Sequence, residues 1–199
     1  MQATTTSEPT SQEIATLIHL ATLTHLEGQV RAAKTLQELQ FVAVNETRRL
    51  VPYDHAVLLR AIDEGGATYR AVAASSVAVI DRDAPMLVWL EKVVQAVRTA
   101  QPEDAPIVVE QGSLPENLRT VWQEFVRGHV LWCPLKHPDA SILGGLWIER
   151  ESPWQDNDVT IVQRLAGSYA YAWKALSKRT IGWTARLNRP SMFALVVVL

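Results

Sequence analysis

The sequence is poor in cysteine, with Cys133 alone among 199 residues, and this scarcity excludes two kinds of protein. A single cysteine cannot build a disulfide framework or a thiolate metal cluster within one chain. Cys133 stands in an apolar run between Trp132 and Pro134, whereas a reactive thiol needs an accessible, electropositive setting. We therefore expect an inert thiol buried in the core.

Recognisable catalytic motifs are missing as well. The sequence contains no nucleophile elbow, no phosphate-cradling loop and no dinucleotide fingerprint. Its five histidines do not pair with cysteine or acidic residues at metal-ligand spacing. We therefore expect a protein that is not an enzyme and that holds neither a metal ion nor a cofactor.

Charge is distributed unevenly along the chain: acidic residues outnumber basic ones up to residue 158, and acidic residues are absent after it. Residues 1–158 contain 13 basic and 21 acidic side chains, a balance of −8, and residues 159–199 contain six basic and no acidic ones. An acidic body has no electrostatic footprint for nucleic acid, so we expect no nucleic-acid partner.

The two ends of the chain differ from residues 11–177. Residues 1–10 lack the features of a secretory signal and are predicted to be a disordered tail. Residues 178–192 are basic, and residues 193–199, FALVVVL, form an apolar run. Residues 193–199 are too few to span a bilayer, since a spanning helix needs about 20 apolar residues. We therefore predict a truncated transmembrane helix that starts near Phe193, preceded by a juxtamembrane linker at residues 178–192. The alternative is a last buried strand. Basic residues before a span favour a domain on the cytoplasmic face of the inner membrane.

The most informative stretch is 129–154. Two apolar runs, residues 129–135 and 141–148, are joined by a turn at residues 136–140 that contains Pro138 and Asp139. Both runs are too apolar for a half-solvated strand, so we place them at the centre of an antiparallel sheet covered on both faces. Gly144 and Gly145 predict a bulge or a close backbone approach.

Weaker patterns surround this hairpin. Periodicity predicts helices at residues 11–34, 35–50, 86–99 and 118–126, and strands at residues 55–62, 68–75 and 107–109. Thr35 and Glu38 fit a capping box, and Asp83 is the expected cap of the 86–99 helix. A long last helix begins near Asp156. Its apolar residues at 162, 165, 166, 169, 172, 173 and 176 keep a coiled-coil-like rhythm. We expect this seam to pack partly on the 11–26 helix and partly on a second copy.

The Pro134-Leu135 step, the return through residues 144–148 and the following helix resemble the closing half of a GAF domain, and the order of elements extends the resemblance over about residues 30–177. It implies an α+β fold, in which a central antiparallel sheet carries terminal helices on one face and mid-chain helices on the other. It also implies a small-molecule pocket under the mid-chain helices and a homodimer through the terminal helices. The cysteine count differs from that of methionine-sulfoxide-reducing relatives. Residues 40–54 also resemble the N-terminal region of bacterial periplasmic adaptor (membrane-fusion) proteins of efflux and secretion systems.

Aromatic residues mark the implied pocket. Trp89, Trp122 and Trp132 fall in the segments that would border it, and with Phe125 and His129 they form our candidate ligand-binding set. Aromatic walls with a few polar groups are typical of a small-molecule site, and plain core packing is the alternative for each tryptophan. Two functions stay open. The first is a sensory or regulatory domain that binds an unknown small molecule and relays its signal through terminal helices in a membrane-anchored protein. The second is a dimerisation module with a vestigial pocket.

Overall fold

The computed structural model describes residues 10–63, 68–101 and 104–187. Within these ranges, antiparallel strands form one five-stranded sheet with the order β2-β1-β5-β4-β3. The strands are β1 (His55–Ala61), β2 (Tyr69–Ala74), β3 (Ile107–Val109), β4 (His129–Lys136) and β5 (Ile142–Arg150). The predicted hairpin is confirmed, because β4 and β5 pair with each other and lie inside the sheet.

Helices lie on both faces of this sheet. They are α1 (Ser11–Ala32), α2 (Leu36–Phe41), α3 (Pro85–Ala100), α4 (Glu116–Arg119), α5 (Trp122–Phe125) and α6 (Asp156–Leu187). The residues of α1, α2 and α6 share one core with the sheet, and those of α3, α4 and α5 share another. This arrangement confirms the predicted α+β fold, with terminal helices on one face and mid-chain helices on the other.

Two predicted helices are less regular than the sequence indicated. The 35–50 helix continues from α2 into a π-helical turn (Val42–Glu46) and a 3₁₀ turn (Thr47–Arg49). The 118–126 helix is divided into α4 and α5. In the first case the Tyr53 hydroxyl donates to the Val44 carbonyl at 2.8 Å, an interaction from outside the helix that holds the distorted turn.

Helix starts follow the expected chemistry only in part. The Thr35 hydroxyl accepts from the Glu38 amide at 3.1 Å, but the Glu38 carboxylate accepts from the Lys34 amide at 2.8 Å. Asp83 is not the cap of α3, because Ala84 occupies that position and Pro85 begins the helix. Proline fits there, since the first turn leaves its backbone nitrogen without an intrahelical partner in any case.

Strand alternation divides the core between the two faces. Along β4, Val130 and Trp132 face α3, whereas Leu131 and Cys133 face α6. Cys133 is fully buried, and burial raises the pKa of its thiol to about 12. The expected burial of Cys133 in the core is therefore confirmed, and its lack of reactivity stays a prediction.

The glycine pair of β5 marks a close approach. A Cβ on Gly144 would overlap the carbonyl oxygen of Leu59, and a Cβ on Gly145 would overlap the indole of Trp132. The register shift of this hairpin lies beside the pair, because Leu135 pairs with Gly144 and Lys136 with Ile142, which leaves Leu143 as the extra residue. Both alternatives, a bulge and a close backbone approach, therefore apply to these glycines.

The apolar seam of α6 faces the sheet of its own chain. Val162, Leu165 and Tyr169 are fully buried in the core shared with α1, α2 and the sheet. Inside that core the Tyr169 hydroxyl lies 2.7 Å from the Thr47 hydroxyl oxygen. The expectation that a second copy would cover part of this seam is therefore corrected, because the chain itself covers it. A heptad-like rhythm fits helix-on-sheet packing as well as a coiled coil.

The first turns of α1 are largely uncovered. Leu17 and Ile18 are each 61% exposed, and burial along α1 begins at Leu23. None of the helices that the structure describes is both long enough and apolar enough to cross a bilayer. The predicted membrane segment at residues 193–199, residues 188–192 of the predicted linker and residues 1–9 of the predicted N-terminal tail lie outside the described residues. Residues 178–187 of the linker continue α6.

Candidate functional site

Four of the five candidate residues meet on the α3 face of the sheet. The Trp89 ring lies 5.8 Å from that of Trp122 and 5.2 Å from that of Phe125, measured between centroids. Trp132 belongs to the same core. The four aromatic side chains that the sequence pattern grouped together therefore lie on one side of the sheet.

His129 is separated from them. It is the exposed first residue of β4 and has the same strand parity as Leu131 and Cys133, which face α6. Its carbonyl oxygen accepts from the Trp154 indole at 3.0 Å. The structure thus leaves His129 at the end of β4, on the opposite side from the aromatic group.

Sequence reasoning missed two members of the aromatic group, Tyr69 and Trp147. The Tyr69 ring packs edge-on against Trp132 at 5.2 Å between centroids. Trp147 packs edge-on against Trp89 at 6.4 Å and against Trp122 at 6.2 Å. Alternation along β5 identifies Trp147, since Leu146 and Ile148 on either side belong to the opposite core.

The aromatic group has two halves. Trp89, Trp122, Phe125 and Trp147 contact one another, while Trp132 leans over Gly145 towards Tyr69. All six side chains take part in the core between sheet and mid-chain helices. In this structure, side chains of the protein occupy the region in which the sequence predicted a ligand pocket.

Hydrogen bonding is incomplete in this core. The Trp89 indole donates to the Leu118 carbonyl at 3.0 Å. By contrast, the indole nitrogens of Trp132 and Trp147 are buried and make no hydrogen bond to any residue in the described ranges. Each buried polar group left in this way costs about 1–3 kcal/mol, so the two indoles are a costly feature for a purely structural core.

A buried cation adjoins the Tyr69 half. Arg98 of α3 has a side chain that is 8% exposed, and its guanidinium lies 2.9 Å from the Asp104 carboxylate. Lys136, at the end of β4, approaches the same carboxylate at 3.0 Å. Burial works to raise the pKa of Asp104, but hydrogen bonds from Lys136 and Arg98 outweigh it and lower that pKa.

Arg98 also acts on Tyr69. Burial raises the pKa of the Tyr69 hydroxyl, and the nearby Arg98 opposes that rise. A sequence signal for this residue exists: Arg98 follows Val94 by four positions, which puts a charged residue on the buried stripe of α3. A charge on a buried face is the informative exception in such a pattern.

Two open cavities of similar volume are among those that lie elsewhere in the described part of the chain. One, of about 830 Å³, is bounded by α1, α6 and the end of β4, and includes Lys136, His137 and Tyr171. The other, of about 780 Å³, lies beside α2 and residues 72–82. In the first cavity Lys136 and Arg164 are paired with Asp104 and Glu27. No group of three histidine, cysteine or acidic side chains that could hold a metal ion occurs in the described part of the chain.

The chain matches a known protein family, and its fold is similar to that of solved structures. The model of the GAF domain matches residues 35–173. A fragment of a methyl-accepting chemotaxis protein, residues 122 to 287, superposes with a TM-score of 0.57 at 13% identity, over 79% of this chain and 98% of that one. The GAF domain of a phosphoenolpyruvate-protein phosphotransferase from Coxiella burnetii superposes with a TM-score of 0.57 at 16% identity, over 83% and 98%.

A chromophore-binding domain has the same fold. That domain, from a bacteriophytochrome of R. palustris, superposes with a TM-score of 0.62 at 10% identity, over 86% of this chain and 64% of that one. At these identities the likeness is one of fold. A search of curated proteins found no match.

Proposed function

Since the chain belongs to the GAF domain family, whose members are sensory and ligand-binding regulatory modules, we propose that it is a non-catalytic sensor that binds a small molecule on the α3 face. One observation supports this proposal above the others. Trp132 and Trp147 place buried indole donors on that face without an acceptor among the described residues. Polar groups set in an aromatic wall are what a small-molecule site offers its ligand.

The proposed signal passes through β4 to α6. Trp132 stands on the ligand face of β4, and its neighbours Leu131 and Cys133 pack in the core that contains α6. A ligand that displaces the Trp132 ring changes the packing of β4, and the closely packed core transmits that change to α6.

Ion pairs fix α6 to both ends of the β4–β5 hairpin. Arg150 at the end of β5 lies 2.7 Å from Asp158 in the first turn of α6. Lys174, further along α6, pairs with Asp139 in the hairpin turn. Because α6 is held to the hairpin at two places, a movement of the hairpin moves the helix as a unit. This attachment supports the proposed relay through the terminal helices.

A thermal-shift screen of a metabolite library against the chain tests the proposal. We expect at least one compound to raise Tm, since a ligand of the folded state stabilises it by mass action. The shift should diminish in Trp132→Phe and persist in Trp154→Phe, because Trp154 donates to His129 away from the aromatic group. If no compound raises Tm, or if the two variants respond alike, the α3 face is not a ligand site.

A second function, an assembly module with a vestigial pocket, is favoured by a different observation. The aromatic side chains fill the α3 face, with Trp132 0% and Trp147 1% exposed. Leu17 and Ile18 of α1 are meanwhile open to a second copy. A ligand-independent dimer whose α3 face binds no library compound would support this alternative.

The cellular setting remains a proposal from the sequence alone. The basic residues 178–192 and the apolar residues 193–199 support a domain anchored at the cytoplasmic face of the inner membrane. An efflux or secretion setting depends only on the adaptor resemblance of residues 40–54, and none of the relatives described above is an adaptor. Fractionation of cells that express the native gene product tests the anchor: recovery in the aqueous fraction would contradict it.

A further inference from the structure

The cavity bounded by α1, α6 and the end of β4 has a mainly aliphatic lining. Its volume of about 830 Å³ falls in the range of about 300–1,000 Å³ that is usual for small-molecule sites. It lies on the side of the sheet that carries α6, away from the aromatic group on the α3 face. Its apolar lining includes Val30, Ala33, Pro106, Pro134, Ala172 and Leu176. Aliphatic and proline side chains offer apolar contact to a saturated chain and no ring on which to stack.

Small residues of α6 leave room along this cavity. Gly167, Ser168 and Ala175 line it, and a Cβ added at Gly167 would meet nothing within 4 Å. The ring of Tyr171, between them, stacks on His137 of the hairpin turn and belongs to the wall on that side. From residue 167 to residue 175 the helix rises about 12 Å. An extended chain advances about 1.2 Å per bond, so this length suits about ten carbon atoms.

The acidic groups of the lining are already paired. The Glu27 carboxylate lies 3.1 Å from Nε of Arg164 and 4.0 Å from a terminal nitrogen of Arg31. The Asp104 carboxylate likewise has two cationic side chains at 2.9 and 3.0 Å. A cationic ligand would therefore have to compete with two side chains of the protein for either carboxylate.

Donors remain where α1 meets α6. A guanidinium group has five N–H donors, and among the described residues Arg164 uses its Nε–H alone, towards Glu27. The side chains of Arg31 and Arg164 are 68% and 62% exposed, so they are accessible to a ligand. Because exposed ion pairs are weak, these two arginines select the charge of a head group, and the apolar lining supplies most of the affinity.

From these observations we infer that the cavity binds a single-chain fatty acid in its ionised form, with the carboxylate at Arg31 and Arg164 and the alkyl chain along residues 167–175. The chain is saturated because the lining is aliphatic. The head group is anionic because the acids of the lining are paired while guanidinium donors remain. This inference goes beyond the proposed function, since the cavity and the α3 face lie on opposite sides of the sheet. A bound acid would contact both terminal helices, α1 and α6.

Decanoate is a suitable probe, and decyltrimethylammonium is a cation with the same chain length. Isothermal titration calorimetry of the full chain, with each probe below its micelle concentration and at constant ionic strength, measures Kd. From hexanoate through octanoate to decanoate, we expect Kd to fall about two- to fourfold per added CH₂, since each buried CH₂ strengthens hydrophobic binding. Decyltrimethylammonium should bind at least about fivefold more weakly than decanoate. An affinity that ignores chain length, or equal binding of the cation, would overturn the inference.

Two variants test the location of the site. Gly167→Leu places a side chain in the open space beside α6, so it should weaken decanoate binding at least about tenfold while Tm does not fall. Arg164→Gln should weaken binding about threefold and leave the gain per CH₂ unchanged. The matched control is Arg49→Gln, because Arg49 is 56% exposed and paired with Glu46, outside this cavity. Binding that survives Gly167→Leu, or equal effects of the two arginine variants, would contradict the inference.

Other occupants of the cavity give different results. Sedimentation with phosphatidylglycerol vesicles should be the same for the wild type and Gly167→Leu. A loss in that variant, together with no binding of decanoate, would assign the cavity to a membrane surface and overturn the inference. Light scattering should give the same mass with and without decanoate, and a decrease in mass would assign the cavity to a second copy instead.

The outcomes also separate this site from the α3 face. Decanoate should bind Trp132→Phe as tightly as it binds the wild type, because Trp132 faces the opposite core. A metabolite on the α3 face should keep its thermal shift in Gly167→Leu. Loss of decanoate binding in Trp132→Phe would place the acid on the α3 face and refute the cavity site, while the sensor proposal would stand.

Discussion

The Trp132 ring lies against Gly145 of the neighbouring strand so closely that even a methyl group on Gly145 would overlap the indole. In the antiparallel register, Trp132 of β4 is paired with Trp147 of β5, whereas Gly145 lies two positions earlier on β5. The indole of Trp132 therefore leans diagonally over the sheet. The contact fixes the orientation of the Trp132 side chain on the α3 face, and the proposed site depends on that side chain.

Gly145→Ala should therefore destabilise the fold and move Trp132. We expect the free energy of unfolding to fall by about 1–3 kcal/mol, the usual cost of overpacking a core. Urea unfolding followed by tryptophan fluorescence measures it. Gly167→Ala is the matched control: nothing lies within 4 Å of its added Cβ on α6, and it should stabilise the helix by about 0.5–1 kcal/mol. A neutral effect of Gly145→Ala would contradict the described packing.

A second prediction concerns the buried contact between α6 and the turn after α2. Tyr169→Phe removes the 2.7 Å hydrogen bond with Thr47. We expect a loss of about 0.5–1.5 kcal/mol in the free energy of unfolding, the net value of one hydrogen bond. Thr47 keeps its bond to the Ala43 carbonyl, so the loss should stay at this level. Tyr171→Phe, whose side chain is 65% exposed, should change nothing measurable.

The buried thiol predicts a dependence on alkaline pH. Burial raises the pKa of Cys133 from 9.0 to about 12. Because the folded pKa is the higher one, the stabilisation is complete below pH 9 and is lost as the pH rises towards 12. Wild-type protein should consequently lose more stability than Cys133→Ala between pH 8 and pH 10 in urea titrations. Parallel losses in the two proteins would show that the thiol ionises freely.

Reactivity of the same residue supplies an independent check. A thiol reagent at pH 8 should label Cys133 only after unfolding, since the thiolate is the reactive form and the native side chain is fully buried. Rapid stoichiometric labelling of the folded chain would be inconsistent with its place in the core.

Association through α1 is the fourth prediction. Leu17 and Ile18 lie on the uncovered part of that helix, and a second copy would bury them. We expect a dimer by light scattering, and a shift towards monomer in Leu17→Glu. Val79→Glu, at an 85% exposed position in the loop before α3, is the control and should leave the mass unchanged. A wild-type monomer at every concentration would refute the dimer.

Long apolar runs were the most informative part of the sequence. The 129–135 and 141–148 runs predicted the central hairpin because short apolar runs rich in β-branched and aromatic residues, bounded by turn residues, are typical of strands buried on both faces. Trp89, Trp122 and Trp132 were grouped correctly because each lies in a segment that covers or forms the α3 face. Local pattern was sufficient for these features.

Other features depend on contacts between distant residues. His129 was misplaced because the direction of a side chain follows from strand register, which a single sequence does not fix. The π-helical turn after α2 is held by Tyr53, and the interactions of Arg98 with Asp104 and Tyr69 join three elements. The α6 seam was assigned in part to a second copy because its spacing fits any wide apolar contact.

The most direct test of the sensor proposal is to map a metabolite that raises Tm onto the indole N–H resonances of the chain. We expect the resonances of Trp89, Trp122, Trp132 and Trp147 to respond, since these residues share the α3 face. Trp154 and Trp173, which pack with the α6 core, should stay in place. Changes confined to Trp154 and Trp173, with the α3 group unmoved, would place the ligand on the other face and contradict the central claim.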